Sequence, residues 1–247
     1  MKSNNMTKEE FKEILCKECN IQNIEINETT LDKLEMYKEL LVEWNEKMNL
    51  TAITDDYGII VKHFVDCLEC TKLIGKDINN LIDVGTGAGF PGMVLAIYYP
   101  DKEFTLLDAL NKRLIFLQEV VDKLELKNVK IVHGRAEEVV RIQKLYETYD
   151  ASISRAVAQL PILLEYVSPY VKVNGKCIVM KGDSVQEEID LSKNALNTLK
   201  LKLKEKVEYS YTIDNEEYNR NILCIEKIGN TPEKYPRNYG KIKKNPL

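Results

Sequence analysis

The sequence predicts an α/β fold built on a mostly parallel, doubly wound sheet. From residue 80 onward, short apolar runs alternate with amphipathic stretches of helical length, the pattern of repeated strand–helix–strand units. The first apolar run ends in three glycines at every second residue, Gly85, Gly87 and Gly89, and such a turn lets a strand pass sharply into a helix. The last two strands follow each other with no helix between them, so we expect an antiparallel hairpin to close the sheet.

Three helices are predicted before the first strand. Thr7 and Glu10 match a capping box that opens the first helix, which continues to about residue 19. Thr30 is the candidate cap of a second helix with apolar residues at helical spacing up to residue 48. A third helix runs from about residue 55 to residue 74. We therefore expect residues 1–78 to form an N-terminal helical extension.

Residues 79–230 carry the alternating pattern of the sheet domain. The predicted strands are 80–84, 103–108, 130–133, 151–154, 175–181, 204–213 and 221–228. The predicted helices between them are 92–99, 111–124, 136–146, 159–171 and 186–199. A polar loop, 214–220, is expected to join the last two strands. A parallel sheet closed by an antiparallel hairpin is typical of class I, Rossmann-like methyltransferases.

The glycine turn differs from the dinucleotide-binding fingerprint, whose third glycine lies three residues after the second. Here the third glycine comes one residue early, and Phe90 stands where the fingerprint has Gly or Ala. Asp83, just before Gly85, would repel a pyrophosphate because two negative charges would face each other. An acid there suits a positively charged ligand, and S-adenosylmethionine, with its ammonium and sulfonium groups, fits that description.

Two further acidic positions follow successive predicted strands. Asp108 ends the second strand, where a carboxylate can accept hydrogen bonds from a ribose. Ala136 and Glu137 follow the third strand, where an adenine edge could be met. A single glycine-rich turn can be a plain strand–helix connection, but the three positions together favour a nucleoside-containing cofactor.

Composition narrows the protein class. The 247 residues are 44% hydrophobic and 30% charged, as in soluble globular proteins. No apolar run approaches the roughly 20 residues that a membrane span requires, and the charged residues among the first twenty exclude a signal peptide. We expect a cytoplasmic monomer that makes no membrane contact.

The cysteines do not predict a metal site. Two C-x-x-C pairs, Cys16/Cys19 and Cys67/Cys70, are separated by about fifty residues, whereas zinc sites pair such motifs at about 15–20 residues. Both pairs fall within amphipathic helical patterns, where small apolar core residues are the default interpretation. We expect no bound metal.

The net charge is −4, which counts mildly against a nucleic-acid-binding protein. Basic residues nevertheless crowd the segment 231–247, which we interpret as a basic C-terminal tail. Its cations are Lys234, Arg237, Lys241, Lys243 and Lys244. Such a tail can be a solvated end or a contact to RNA phosphates, and the sequence leaves both open.

A set of short motifs resembles the small-subunit ribosomal RNA methyltransferase G family, also called glucose-inhibited division protein B. The resemblance covers nearly the whole chain after the first helix. The matching motifs are Trp44-Asn45, Asn49-Leu50-Thr51, His63-x-x-Asp66, Asp83–Gly92, Leu107-Asp108, Lys112-Arg113, Phe116-Leu117, Arg135-Ala136-Glu137, Ser154–Ala158, Lys181-Gly182, Tyr235-Pro236-Arg237 and Pro246-Leu247.

The resemblance implies methylation of a guanine at N(7) in 16S ribosomal RNA, with S-adenosylmethionine as the methyl donor and the ribosomal RNA or small ribosomal subunit as the partner. It implies cofactor contacts at Gly85, Phe90, Ala136, Glu137 and Arg155. From their places at the glycine turn and at the strand ends, we add Asp83, Gly87 and Asp108 as cofactor-binding candidates.

The chemistry agrees with the residues after the fourth strand. Guanine N(7) carries a free lone pair, so its methylation requires no base and we expect no acid–base catalyst. Enzymes that methylate exocyclic amines carry an Asn/Asp-Pro-Pro-aromatic motif there, and this chain has Ser154–Val157 instead. Arg155 and Lys181, at strand ends, could position the guanine or a phosphate. Each could instead form a salt bridge to an acid of the cofactor site, Arg155 in particular.

Two other functions share parts of this pattern. A methyltransferase acting on a small molecule or a protein would keep the cofactor site but would not need the basic tail. A non-catalytic RNA- or nucleotide-binding module would bind the cofactor without transferring its methyl group, although the intact turn from Asp83 to Gly89 argues against it.

Overall fold

A seven-stranded sheet forms the centre of the computed structural model, which describes residues 6–247. Its strand order is β3-β2-β1-β4-β5-β7-β6. The strands are β1 Asn80–Val84, β2 Glu103–Asp108, β3 Val129–His133, β4 Tyr149–Arg155, β5 Val171–Lys181, β6 Leu201–Ile213 and β7 Glu216–Lys227. Strands β1 to β5 are parallel, β7 pairs antiparallel with β5, and β6 pairs antiparallel with β7. The predicted fold class is confirmed.

Helices cover both faces of this sheet. They are α1 Lys8–Ile21, α2 Glu28–Met48, α3 Asp56–Gly58, α4 Asp66–Leu68, α5 Gly92–Tyr98, α6 Asn111–Lys123, α7 Ala136–Ile142, α8 Leu160–Val167, α9 Val185–Leu191, α10 Lys193–Thr198 and α11 Tyr239–Lys244. A π-helical stretch, Ile59–Val65, joins α3 to α4, and a 3₁₀ turn, Glu69–Leu73, follows. No helix in residues 6–247 is long and apolar enough to cross a membrane.

The N-terminal helices pack on the face of the sheet that carries α5 and α6. Tyr37 of α2 is fully buried and stacks near Phe64 and Phe116, at centroid distances of 5.6 and 6.2 Å. Its hydroxyl donates a hydrogen bond to the carbonyl of Ala88 in the glycine turn. The N-terminal extension therefore supports the turn directly as well as covering part of the sheet.

The opposite face carries α7, α8 and the C-terminal segment. Tyr235 and Ile242 are buried in the same apolar cluster as the helix residues Leu163 and Val140. Arg237 is held by Glu165 of α8, which is fully buried and accepts from the backbone N–H at 2.7 Å and from Nη2 at 2.6 Å. The last residues thus pack against the sheet domain.

Local structure differs from the sequence expectations at several element ends. The cap of α2 is Asn27, whose side chain accepts from the N–H of Thr30, so the expected cap is wrong by one helical turn. The helix after β4 ends at Val167, and β5 begins at Val171, because the strand continues through an irregular register before Gly175. The expected helix 186–199 is two helices broken at Ser192, and the helix after β3 ends at Ile142.

The hairpin is also tighter than expected. Asp214 and Asn215 adopt positive φ angles of 52° and 65° and form a two-residue turn between β6 and β7. Asp and Asn tolerate this conformation, which matches the twist of the flanking strands. Residues 216–220, expected in a loop, therefore belong to β7.

Candidate functional site

The glycine turn leaves β1 at the point where the strand order reverses between β1 and β4, the usual ligand crevice of open α/β sheets. Gly85, Gly87 and Gly89 have φ angles of 76°, 63° and 99°, a region that side chains disfavour. The N–H of Gly85 donates to the carbonyl of Leu107 at 2.8 Å. A Cβ built on Gly87 meets no atom within 4 Å, so this part of the turn faces open space.

Asp83 lies behind the turn, with no exposed surface. Its Oδ2 accepts a hydrogen bond from the N–H of Gly92 at 2.8 Å, at the start of α5. Burial raises the pKa of the Asp83 carboxyl to about 7, although Thr86 and the Gly92 N–H lower it. Oδ2 thus braces the turn from the protein side, while Oδ1 has no hydrogen-bond partner among the described residues, so the expected contact of this acid with a cationic ligand stays a prediction.

A cavity of about 320 Å³ opens at the carboxyl ends of the parallel strands, and we call it the strand-end cavity. It brings together four of the predicted cofactor-binding residues, Gly85, Asp108, Ala136 and Glu137. Glu137 is 6% exposed, and its Oε1 has no hydrogen-bond partner. Burial raises the pKa of this carboxyl. An unpartnered buried acceptor at the wall of a cavity is a ready contact for a ligand donor.

Asp108 connects this cavity to the glycine turn. Its Oδ2 accepts from the N–H of Gly87 at 2.9 Å and from Nη1 of Arg113 at 3.3 Å, and its Oδ1 accepts from the N–H of Leu110 at 2.8 Å. A carboxylate has about four acceptor positions, so capacity remains for a hydroxyl donor. Asp108 therefore fixes the turn and can still face a ligand.

The C-terminal segment supplies one wall of the strand-end cavity, which the sequence analysis missed. Tyr239 and Lys243 of α11 line it, and the guanidinium of Arg135 lies 4.5 Å from the Tyr239 ring centroid. The ion pair of Arg237 with Glu165 anchors the chain just before α11. No local sequence signal predicts this placement, because it depends on docking residues 72 positions apart.

A smaller cavity of about 210 Å³ adjoins the glycine turn, and we call it the glycine-loop cavity. Gly85, Gly87, Phe90 and Arg155 line it together with His63. The ring of Phe90 is stacked by His63 at 4.2 Å, and the guanidinium of Arg155 lies 4.9 Å from its centroid. Gly85 lines both cavities, so they adjoin at the start of the glycine turn.

Arg155 is held by the motif His63-x-x-Asp66. Its Nη1 donates to Oδ2 of Asp66 at 2.8 Å and to the carbonyl of Lys62 at 3.0 Å, and its Nη2 lies 3.1 Å from Nδ1 of His63. The π-helical stretch and α4 present these partners from one side, and π-helical insertions are frequent at functional sites. The partner acid is Asp66, from the N-terminal extension, and not one of the cofactor-side acids.

His63 has a defined protonation state in this network. Arg155 can only donate, so Nδ1 of His63 accepts and Nε2 carries the hydrogen that faces Oγ1 of Thr51 at 2.9 Å. Burial and the neighbouring guanidinium lower the pKa of His63 to about 3. The imidazole is therefore neutral at physiological pH, with no free lone pair for a substrate proton.

A third space of about 680 Å³ lies between the loop after β4 and the β6–β7 hairpin, and we call it the hairpin cleft. It meets the glycine-loop cavity at His63, Arg155 and Ala156. Lys181 lies in its wall, where Nζ donates to Oε2 of Glu188 and to the carbonyl of Ala158, at 2.6 and 2.7 Å. This lysine is thus internally paired.

Among residues 6–247, the side chains that could bind a metal ion do not form a cluster. Within residues 6–247 no three His, Cys, Asp or Glu side chains are arranged to hold a metal ion. Cys19, Cys67 and Cys70 are buried, and burial raises the pKa of each thiol. The two C-x-x-C pairs are packing residues in the structure.

Sequence comparison matches residues 30–216 to the family model described as rRNA small subunit methyltransferase G. A ribosomal RNA small subunit methyltransferase G of Clostridium perfringens (strain 13 / Type A) is 48% identical over 239 residues, covering 96% of this chain and 99% of that protein. The corresponding protein of Clostridium tetani is 44% identical over 238 residues, with the same coverage.

Structure comparison gives more distant similarities that concern the fold. M. jannaschii TYW2 in complex with AdoMet superposes with a TM-score of 0.54 at 17% identity, covering 72% of this chain and 80% of that one. A mutant of the 16S rRNA (adenine(1408)-N(1))-methyltransferase from Catenulisporales acidiphilia gives 0.51 at 16% identity, covering 65% and 87%.

Proposed function

The chain belongs to the rRNA small subunit methyltransferase G family, and on that premise we propose that it transfers a methyl group from S-adenosylmethionine to N(7) of a guanine in 16S ribosomal RNA. The observation that carries the N(7) assignment is the lining of the glycine-loop cavity and the hairpin cleft. Among the described residues there, every acid is already engaged: Asp66 by Arg155 and Glu188 by Lys181. Methylation of an exocyclic amine or a hydroxyl would require a proton acceptor, and methylation of N(7) does not.

The residues fit S-adenosylmethionine. Gly87 leaves open space beside the turn, and Oε1 of Glu137 is a buried acceptor without a partner. We propose that Gly85, Asp108, Ala136 and Glu137 hold the nucleoside part in the strand-end cavity. Residues of the glycine-loop cavity would hold the methionine part; they are Gly85, Gly87, Phe90 and Arg155. Asp83 supports the turn through the N–H of Gly92, and its Oδ1, which has no hydrogen-bond partner among the described residues, keeps it a candidate contact for a cationic group of the ligand.

The chain's own contribution to the reaction is alignment. The bound cofactor supplies an electrophilic methyl group on a sulfonium. His63 and Arg155 pack on Phe90 and fix the wall shared by the glycine-loop cavity and the hairpin cleft. Because Arg155 and Lys181 are neutralised by carboxylates, the cleft can accept a base on which positive charge develops. The rate enhancement therefore comes mainly from holding the two reactants in line, and not from acid–base catalysis.

The proposal is tested by incubating the protein with methyl-labelled S-adenosylmethionine and small ribosomal subunits from cells that lack this activity. We expect label in 16S ribosomal RNA and chain cleavage at one guanine after the borohydride and aniline treatment that detects N(7)-methylguanine. A parallel panel of small molecules and proteins tests the alternative substrates. Label in that panel and none in the RNA would contradict the proposal, and cofactor binding without any transfer would support a non-catalytic module.

We also propose that the protein acts in the cytoplasm as a monomer. An rRNA substrate supports the location. The large exposed hydrophobic side chains, such as Ile21, Ile142 and Leu191, lie on separate helices and suggest no extended association surface. Light scattering at the concentration used for activity tests the monomer.

A further inference from the structure

The hairpin cleft contains four cationic side chains, and two of them are neutralised inside the protein. Arg155 pairs with Asp66 at 2.8 Å, and Lys181 pairs with Glu188 at 2.6 Å. These pairs are mostly buried, with 17% and 9% of the two cationic side chains exposed. A phosphate would have to displace a carboxylate to reach either one. The two cations are therefore positioning groups of the cleft wall.

The other two cations, Lys62 and Arg220, are differently placed. Nζ of Lys62 lies 4.4 Å from the ring centroid of Tyr218, and the guanidinium of Arg220 lies 5.9 Å from the same centroid. Among residues 6–247, Lys62 has no carboxylate within 4.0 Å, and the nearest approach of Arg220 is 4.0 Å to Asp66. The guanidinium of Arg220 lies closer, at 5.4 Å, to the ring of Tyr211, which stacks on Tyr218, so this pair of rings holds the two cations at the edge of the cleft.

We infer that Lys62 and Arg220 bind the phosphate backbone of the RNA strand that carries the target guanine, an assignment that rests on the proposed function. Both residues line the cleft that opens into the glycine-loop cavity, so a phosphate held there belongs to a nucleotide near the reacting base. In a chain of net charge −4, Lys62, without a carboxylate partner among the described residues, and Arg220, with one long ion pair to Asp66, form a local positive patch that suits a polyanion. A neutral small substrate would gain nothing from them.

The hairpin tip limits where the RNA can run. Asp214, Glu216 and Glu217 are exposed there, and their negative charge repels phosphates. Contact is therefore confined to the side of the hairpin that faces the cleft, where Arg220 lies on β7 and Lys62 on the π-helical stretch.

The test measures binding of the full-length protein to small ribosomal subunits from cells lacking this activity, across a series of salt concentrations. Removing one phosphate contact lowers the slope of log affinity against log salt by about 0.7 for single-stranded RNA. We expect Lys62→Gln to lower the slope by about 0.7 and the double variant Lys62→Gln/Arg220→Gln to lower it by about 1.4. Arg220→Lys should keep the slope, and the affinity for S-adenosylmethionine should not change.

The matched control is Lys127→Gln/Lys202→Gln. Both lysines are exposed near the amino ends of the parallel strands, away from the cleft: Lys127 precedes β3, and Lys202 lies opposite Glu226 at the start of β6. The control carries the same charge change and should bind like the wild type. A slope for the cleft variant equal to that of the control would overturn the inference. If the wild type binds subunits but transfers no methyl group, the proposed function fails while the salt slopes still decide this inference.

Discussion

His63 stacks face to face on Phe90, with ring centroids 4.2 Å apart and ring planes inclined by 15°. Phe90 belongs to the glycine turn, and His63 belongs to the π-helical stretch of the N-terminal extension. The contact therefore joins the extension to the turn that we assign to the cofactor. Arg155 completes the assembly from the end of β4.

The buried neutral His63 makes stability depend on pH. Its pKa is about 3 in the folded protein and 6.5 in the unfolded chain, so its stabilising contribution is present above pH 6.5 and is lost as the pH falls toward 3. We expect the stability difference between wild type and His63→Gln to shrink by about 2 kcal/mol between pH 7.5 and pH 5. Urea unfolding at both pH values measures this. If the stability difference between wild type and His63→Gln were the same at both pH values, the pKa of His63 would not be lowered in the folded protein.

Gly85→Val should abolish binding of S-adenosylmethionine. The φ of Gly85 is 76°, and a Cβ there lies 2.5 Å from Cγ2 of Val157, which forms part of the strand-end cavity. The substitution strains the turn by about 1–2 kcal/mol and displaces the cavity wall. Calorimetry should show at least a hundredfold weaker binding with a folded circular dichroism spectrum. Gly182→Ala, where a Cβ meets open space at an ordinary φ, is the control and should bind normally.

The buried cysteines should be inert, and all six cysteines should be dispensable for methyl transfer. Burial raises the pKa of the Cys19 thiol to about 12 and that of Cys67 further, and reactivity requires the thiolate. Among residues 6–247, Cys16 is the one cysteine that is partly exposed. Mass spectrometry after brief alkylation at pH 8 should find one modified cysteine, and metal analysis should find no stoichiometric zinc. Replacing Cys67 with Ala should cost about 1–2 kcal/mol through poorer packing, with activity retained.

Lys243 should contribute to cofactor affinity. Both Lys243 and the neighbouring Lys244 are exposed, but only Lys243 lines the strand-end cavity. We expect Lys243→Gln to weaken binding of S-adenosylmethionine about tenfold, the effect of removing one charge-assisted hydrogen bond. Lys244→Gln should have no effect on that affinity in the same titration. Equal dissociation constants of the two variants for S-adenosylmethionine would show that α11 is not part of the cofactor site.

Two of the remaining tail lysines, Lys241 and Lys244, test the RNA interpretation of the C-terminal segment. Lys241 and Lys244 are exposed and lie outside the strand-end cavity. Changing both to Gln should flatten the salt dependence of subunit binding by about 1.4 and leave cofactor affinity unchanged. An unchanged slope would mean that these lysines are a solvated end, and RNA contact would then rest on the hairpin cleft.

The strands, the glycine turn and the closing hairpin were predictable because each depends on residues that are near one another in the sequence. Apolar spacing determines the type of element, and glycines mark the turn that needs positive φ. Element ends were less predictable. Asn27 and Thr30 are both good helix caps, and the choice between them depends on packing, since Thr30 is buried inside the helix. The register irregularity before Gly175 likewise depends on the neighbouring strand.

The sequence by itself determined the fold class, the family motifs and the position of the glycine turn, because these depend on residues close together in the chain. Tertiary structure decided which side chains are free to act. Arg155 pairs with Asp66, 89 positions away in the sequence, and Arg237 pairs with Glu165, 72 positions away. Lys181 pairs with Glu188. A cationic side chain that the sequence suggests as a ligand contact has a structural role when a carboxylate packs against it. No spacing rule predicts pairs of residues so far apart in the chain. The same folding leaves Lys62 and Arg220 beside a pair of tyrosine rings at the edge of the cleft.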